Sequence, residues 1–198
     1  MKKIVVLISG NGSNLQALID SVATGDLEAE IAAVVCNDHE AFGLTRARRA
    51  GIPTEILGLQ DVLSRGGDRI AFDVELAGLV ASYEPDLVVL AGWMLILGRA
   101  FLDRFPNRVI NLHPALPGTF PGTRAIQRAH AAFQRGEIKD TGVMVHRVIP
   151  EVDAGPLVAK ESVPIFPGES VDELEERIHH VEHQLIVAAV DHVLRGEA

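Results

Sequence analysis

The chain has 198 residues, is 47% apolar and 23% charged, and carries a formal net charge of −9, which fits one folded domain with one sizeable core. That acidic balance argues against nucleic acid as the main partner, because gripping a phosphate backbone needs a basic surface. It leaves room for a small anion held locally by backbone N–H groups.

Ile4-Val5-Val6-Leu7-Ile8 is a short, wholly apolar run rich in β-branched residues. That is the pattern of a strand buried on both faces of a parallel sheet. Met1-Lys2-Lys3 before it resembles the start of a secretion signal, but such a signal needs about 7–15 apolar residues. No stretch reaches the roughly 18 apolar residues of a bilayer span, so a cytoplasmic protein without a membrane partner is expected. A glycine-rich turn follows, then a helix from about Asn14 to Ala23. Ile31 to Val35 is a second buried strand, Gly43 to Ala50 a helix closed by Gly51, and Thr54 to Leu57 a short strand. The lone Cys36 allows no internal disulfide and reads as a small buried hydrophobe.

A longer helix is predicted from Arg69 to Tyr83, with Ile70, Val74, Leu76, Leu79 and Val80 as its apolar residues. Leu87 to Ala91 is a strand, Arg99 to Arg104 a short helix, and Arg108 to Leu112 another strand. This alternation predicts an α/β fold: a Rossmann-like, mostly parallel twisted sheet with helices on both faces. The last third differs. A helix over Thr123 to Gln134 precedes two strand-like runs, Gly142 to Val148 and Leu157 to Val163, expected as late antiparallel strands. Ser170 with Glu173 forms a capping box that opens a final helix to about Leu194. With no linker and no internal repeat, residues 1–198 read as a single domain.

Ser9-Gly10-Asn11-Gly12-Ser13-Asn14 joins the first strand to the first helix. Free N–H groups at a helix N-terminus attract anions, and glycines allow close approach. Leu15 stands where a dinucleotide fingerprint needs its third glycine, and no Gly-Lys-Ser/Thr follows, so the turn suits a phosphomonoester better than a dinucleotide or a Walker-type triphosphate. The bland alternative is a tight turn without a ligand.

Asn111-Leu112-His113-Pro114 sits at the carboxyl end of a predicted strand, where open α/β sheets bind ligands. Two residues apart, Asn111 and His113 point to one side. An amide that donates to a developing oxyanion, beside an imidazole that moves a proton, makes an acyl-transfer pair. The alternative is a polar pair that only satisfies loop backbone. Asp153, in the turn Glu151-Val152-Asp153-Ala154-Gly155-Pro156, would orient His113 if the two met, but spacing alone does not bring them together. His146 reads equally as a structural imidazole or as one that supports the site from behind. His179, His180 and His183 lie at near-helical spacing, but without a metal-site motif around them no metal is expected. Trp93 and Met94 read as core or pocket wall.

The opening from Ile4 to Gln16 strongly resembles that of glycinamide ribonucleotide formyltransferases. Asn111-Leu112-His113-Pro114-Ala115-Leu116 looks like the signature of the wider folate-dependent formyltransferase family, and Val152-Asp153-Ala154-Gly155-Pro156 resembles its Asp-x-Gly-Pro element. The likeness runs from about Lys3 into the last helix and implies the formyltransferase fold. It implies formyl transfer from 10-formyl-tetrahydrofolate, as co-substrate and without a metal, to the amine of glycinamide ribonucleotide in purine synthesis. On that resemblance Asn111 binds the formyl oxygen, His113 moves the proton, and Asp153 holds His113 and raises its pKa. Gly12, Ser13 and Asn14 cradle the phosphate and ribose, with Glu182 contributing from the last helix. Arg69, Met94, Leu95, Ile96 and Leu97 surround the folate together with Asn111, Val152 and Asp153. Leu95 stands where relatives often carry Arg, Met144 where a small hydroxyl residue is frequent, and Ala115-Leu116-Pro117-Gly118-Thr119-Phe120 where Leu-Leu-Pro is usual, a departure that bears on the loop Pro117 to Thr123. A formyl-folate enzyme acting on tRNA or water, or a non-catalytic phosphate-binding domain, are the alternatives. Either a monomer or a homodimer is compatible with the sequence.

Overall fold

The computed structural model describes residues 1–197. In chain order the elements are β1 (Lys2–Ile8), α1 (Ser13–Thr24), β2 (Ala29–Cys36), α2 (Phe42–Arg49), β3 (Thr54–Ile56), α3 (Leu59–Ser64), α4 (Arg69–Ala81), β4 (Leu87–Leu90), α5 (Arg99–Leu102), β5 (Val109–His113), α6 (Ala125–Gln134), β6 (Asp140–Arg147), β7 (Leu157–Pro164) and α7 (Val171–Leu194). The strands form one seven-stranded sheet in the order β3-β2-β1-β4-β5-β6-β7. The chain divides into two compact units, residues 1–110 and residues from 111 onward, with the boundary inside β5.

In the first unit β1 pairs in parallel with β2 and with β4, and β2 with β3. Ile4 to Ile8 are all fully buried, as a strand covered on both faces requires. Leu15 and Leu18 of α1, Leu44 and Ala47 of α2, and Phe72, Leu76 and Val80 of α4 complete this core. The predicted stripe of α4 needs correction: Ile70 and Val74 are exposed, and the buried face runs through Phe72, Asp73, Leu76 and Ala77. A carboxylate holds a core position there because Asp73 accepts from the Gly98 N–H at 3.0 Å and from Arg69 Nη2 at 3.3 Å. Hydropathy alone reads that position as solvent-facing. The short α3 also escaped the sequence reading, since only Val62 of its six residues is buried.

In the second unit β6 and β7 are antiparallel, from Asp140 opposite Pro164 to His146 opposite Leu157, with a register shift between Val145 and His146. Gly155 lies where a Cβ would overlap the Arg147 carbonyl, so this turn can pack only with glycine there. Helix α6 starts at Ala125, two residues later than expected, because Arg124 adopts left-handed backbone at φ 54°. Helix α7 has the expected capping box: Glu173 N donates to Ser170 Oγ and Ser170 N to Glu173 Oε2. Its buried face runs Leu174, Ile178, Glu182, Ile186, Val190, a four-residue spacing that carries one charged side chain inward.

Candidate active site

Two groups of polar residues stand out, one in each unit. In the first unit, the turn after β1 packs directly on α2. Gly12 is the N-cap of α1 in left-handed backbone, φ 73°, and a Cβ there would lie 2.8 Å from the Gly43 Cα. Gly43 N donates to the Gly10 carbonyl at 3.0 Å, and a Cβ on Gly43 would overlap the Ile8 side chain. The paired glycines therefore serve close packing of turn on helix, a reason the sequence reading did not supply. Arg46 braces the same turn, donating from Nε to the Asn11 carbonyl at 2.9 Å, from Nη2 to Asn11 Oδ1 at 3.0 Å and from Nη1 to Gln16 Oε1 at 3.2 Å. Helix α1 has no side-chain cap and no acidic residue in its first turn. First-turn N–H groups lack intrahelical partners, so this rigid turn can receive a phosphate. Asn14 is buried and Ser13 half-buried at its mouth.

Also in this unit, Arg69 is bound to Asp73 but keeps a side chain 39% exposed. Met94 and Ile96 are exposed apolar side chains, Leu95 is half-buried and Leu97 buried. Met94 N donates to Ser9 Oγ at 2.8 Å, which ties that segment to the end of β1. Trp93 is core, as one of the two expected readings had it.

In the second unit, β5 delivers Asn111 and His113 to Asp153. Asn111 Nδ2 donates to Asp153 Oδ1 at 3.2 Å, and His113 Nδ1 lies 3.3 Å from Asp153 Oδ2. The second Asp153 oxygen also accepts from the Gly122 N–H at 2.8 Å. Asp153 sits in left-handed backbone, φ 52°, in the turn after β6, which aims its short side chain back at β5. His113 and Asp153 side chains are 6% and 9% exposed. The meeting that spacing could not decide does occur.

His146 is the fourth member. Its Nδ1 lies 2.8 Å from the Arg147 carbonyl and so carries a proton toward it. Its Nε2 lies 3.3 Å from Asn111 Nδ2 and 3.4 Å from Asp153 Oδ1. In the neutral ring the bare Nε2 accepts from Asn111, and the approach to Asp153 is attractive only in the imidazolium. The Asn111 amide hydrogens are thus both committed, to Asp153 and to His146. His113 Nε2 faces the Phe120 carbonyl at 3.1 Å, a hydrogen bond only when that nitrogen carries a proton.

The electrostatics keep the expected effect of Asp153 on His113 but add a larger one. Asp153 does favour the charged form of His113, but burial acts more strongly, and the His113 pKa falls below its ordinary value. Asp153 and the Phe120 carbonyl oppose that fall, while His146 and Arg128 add to it. Burial pushes the Asp153 carboxyl up. Hydrogen bonding from His146 and Gly122 and the nearby imidazoles outweigh it, so the pKa ends below the usual carboxylate value. The Gly122 N–H is the contribution that needs no protonated neighbour. A neutral imidazole against an ionised carboxylate is the state set by this environment, and it suits a group that accepts a proton.

Val152 is exposed beside Asp153. Glu182 is buried, with His179 Nδ1 2.8 Å from its Oε2. That carboxylate, with Glu175, raises the His179 pKa against the effect of burial. Among the described residues no group of three His, Cys, Asp or Glu side chains could hold a metal ion. The sequence reading singled out the loop Pro117 to Thr123 but not the contacts of Phe120, Gly122 and Arg128, because these run through carbonyls and N–H groups placed by loop shape rather than residue type.

The formyl transferase family model matches residues 2–190. A phosphoribosylglycinamide formyltransferase of Dictyostelium discoideum is 44% identical over 94% of this chain and 95% of its own length. One from Escherichia coli is 42% identical over 92% of this chain and 82% of its own. The crystal structure of glycinamide ribonucleotide transformylase 1 from Symbiobacterium toebii superposes with a TM-score of 0.92 at 38% identity, covering 99% of this chain and 89% of that one.

Proposed function

The chain belongs to the formyl transferase family, and we propose that Asn111, His113 and Asp153 carry out its formyl transfer. It moves a formyl group from 10-formyl-tetrahydrofolate to the amine of glycinamide ribonucleotide, giving formylglycinamide ribonucleotide and tetrahydrofolate in de novo purine synthesis. The whole chain works as one formyltransferase domain, a reading supported by the family match over residues 2–190. It acts in the cytoplasm on small molecules, as a monomer or homodimer. No helix among the described residues is long and apolar enough to cross a membrane.

The observation that carries the residue assignment is the buried Asn111–Asp153–His113 cluster, with one carboxylate bound to both partners. The amine attacks the formyl carbon, and the carbonyl oxygen gains negative charge. An Asn111 N–H stabilises that oxygen after exchanging its bond to His146 or Asp153. His113, neutral because it is buried, takes the proton that the amine must lose. The bond from the formyl carbon to the folate nitrogen then breaks, and His113 returns the proton to that nitrogen, so atoms and charge balance. Asp153 keeps His113 in the tautomer with a proton on Nδ1 and stabilises the imidazolium that forms in between.

Gly12, Ser13 and Asn14 receive the phosphate and ribose of glycinamide ribonucleotide, and Glu182 contributes from α7. Met94, Leu95, Ile96, Leu97 and Val152 meet the folate with Asn111 and Asp153. Arg69 supplies a cation for the carboxylates of the folate tail. Purified protein given 10-formyl-tetrahydrofolate and glycinamide ribonucleotide should release tetrahydrofolate at a rate that depends on the ribonucleotide. Turnover with water or charged tRNA instead would overturn the acceptor assignment. His113→Ala and Asp153→Asn should each lower kcat by about 10²–10⁴-fold with substrate binding largely kept. Near-normal kcat in either variant would remove that residue from the mechanism.

A further inference from the structure

His113 has no free ring nitrogen. Asp153 takes the Nδ1 proton, and the Phe120 carbonyl oxygen stands 3.1 Å from Nε2, the nitrogen that must face the reacting amine, covering it in the neutral ring and accepting from it only in the imidazolium. That carbonyl is itself held. Arg128 Nη2 donates to the carbonyls of both Phe120 and Pro121 at 2.6 Å each, the short distances of charge-assisted bonds. The guanidinium also lies over the Phe120 ring, 5.9 Å from its centroid. Gly122 closes the circuit by donating to Asp153. The segment Phe120–Gly122 thus spans the imidazole–carboxylate pair from one side to the other, and an arginine on α6 fastens it.

The fastened segment is not in a relaxed conformation. Phe120 has φ 46° and Arg124 φ 54°, left-handed backbone that a residue with a Cβ adopts only where its surroundings hold it. Arg128 is exposed, and an open groove of about 400 Å³ runs along the same side of α6, lined by Pro121, Thr123, Arg124, Gln127, Arg128 and Ala131. Water therefore reaches the guanidinium and can replace either carbonyl, so the fastening is reversible.

We propose that Arg128 is a positioning residue that holds the Phe120 carbonyl as a latch over His113 Nε2, and that releasing this latch is what makes His113 available to the substrate. The inference rests on the role given to His113 above. Binding that needs a released state is weakened by the fraction of molecules in that state. Loss of the latch should therefore tighten substrate binding and leave the chemical step alone.

The test uses Arg128→Met, which keeps the side-chain stem but removes charge and donors, and Arg128→Lys, which keeps a cation able to donate to carbonyls. The first readout needs no activity: the rate at which diethyl pyrocarbonate modifies His113, followed by peptide mass spectrometry. Arg128→Met should be modified several-fold faster than the parent protein, and Arg128→Lys should return toward the parent rate. The second is steady-state kinetics, in which Arg128→Met should lower KM several-fold with kcat within about twofold, and Arg128→Lys should restore KM. An unchanged modification rate in a folded Arg128→Met protein overturns the latch. So does a fall in kcat with KM unchanged, which would place Arg128 in the chemical step. Should Arg128→Met not fold, Arg128→Gln is read in its place by the same two measurements. Faster modification in a protein whose His113→Ala variant is fully active would leave the latch standing and overturn the catalytic reading instead.

Discussion

His113 shows how one residue is tuned by opposing neighbours. Both ring nitrogens face oxygen acceptors, an arrangement that only an imidazolium can satisfy fully. Burial nevertheless dominates, and the pKa is lowered. A base of this kind works where it is neutral, so kcat/KM should fall on the acid side with an apparent pKa below about 6.5, the ordinary histidine value. Asp153 holds that pKa up, so Asp153→Asn should move the acid limb to still lower pH while reducing the plateau. A pH–rate profile of both proteins measures this. An acid limb that moves upward in Asp153→Asn would mean that the titrating group is not His113. The pairing of Asn111 with His113 was legible because strand geometry puts alternate residues on one side. The commitment of His113 to the Phe120 carbonyl was not legible, since any residue at position 120 supplies the same carbonyl.

Among elements, the contact of the β1–α1 turn with α2 carries the most argument. Gly12, Gly43 and Arg46 form a brace in which backbone meets backbone at Gly12 and Gly43 and a guanidinium ties off Asn11 and Gln16. Gly12→Ala combines a left-handed residue, unfavourable by about 1–2 kcal/mol once a Cβ is present, with a contact of 2.8 Å to the Gly43 Cα. The turn must shift to relieve it. The expected outcome is a lower Tm together with a raised KM for the ribonucleotide and little change in KM for the folate. Equal losses for both substrates would show that the turn does not bind the phosphate. The regular elements were largely legible: β1, β2 and β4 from unbroken apolar runs, and α7 from its capping box. Helix α4 was misread on one face because Asp73 is buried by hydrogen bonds that hydropathy does not register. The start of α6 was misplaced because the left-handed Arg124 breaks the helix without a glycine to mark it.

For the whole molecule, the acidic composition argued against nucleic acid as the main partner, but the net charge of −9 says nothing about how stability depends on pH. That dependence comes from groups whose pKa changes on folding. The lowered pKa of His113 means that the unfolded chain binds more protons than the native one as pH drops below the ordinary histidine value, so stability is lost as pH falls through that window. Asp153, Asp86 and Glu169 also have lowered values; each contributes stability above the unfolded carboxylate pKa that is lost as pH falls through the folded one. His179 has a raised value and acts in the opposite sense: its contribution is full below the unfolded histidine pKa and is lost as pH rises through the folded one. Stability should therefore peak between the two histidine windows and fall on both sides, more steeply toward acid, where several groups act together. Urea unfolding across this range measures the curve. His113→Gln should flatten the first part of the acid fall, and His179→Gln the alkaline one. A His113→Gln curve that falls as much as the parent between about pH 6.5 and the carboxylate range would show that folding does not lower the His113 pKa, and with it that burial does not win over Asp153 and the Phe120 carbonyl at this site.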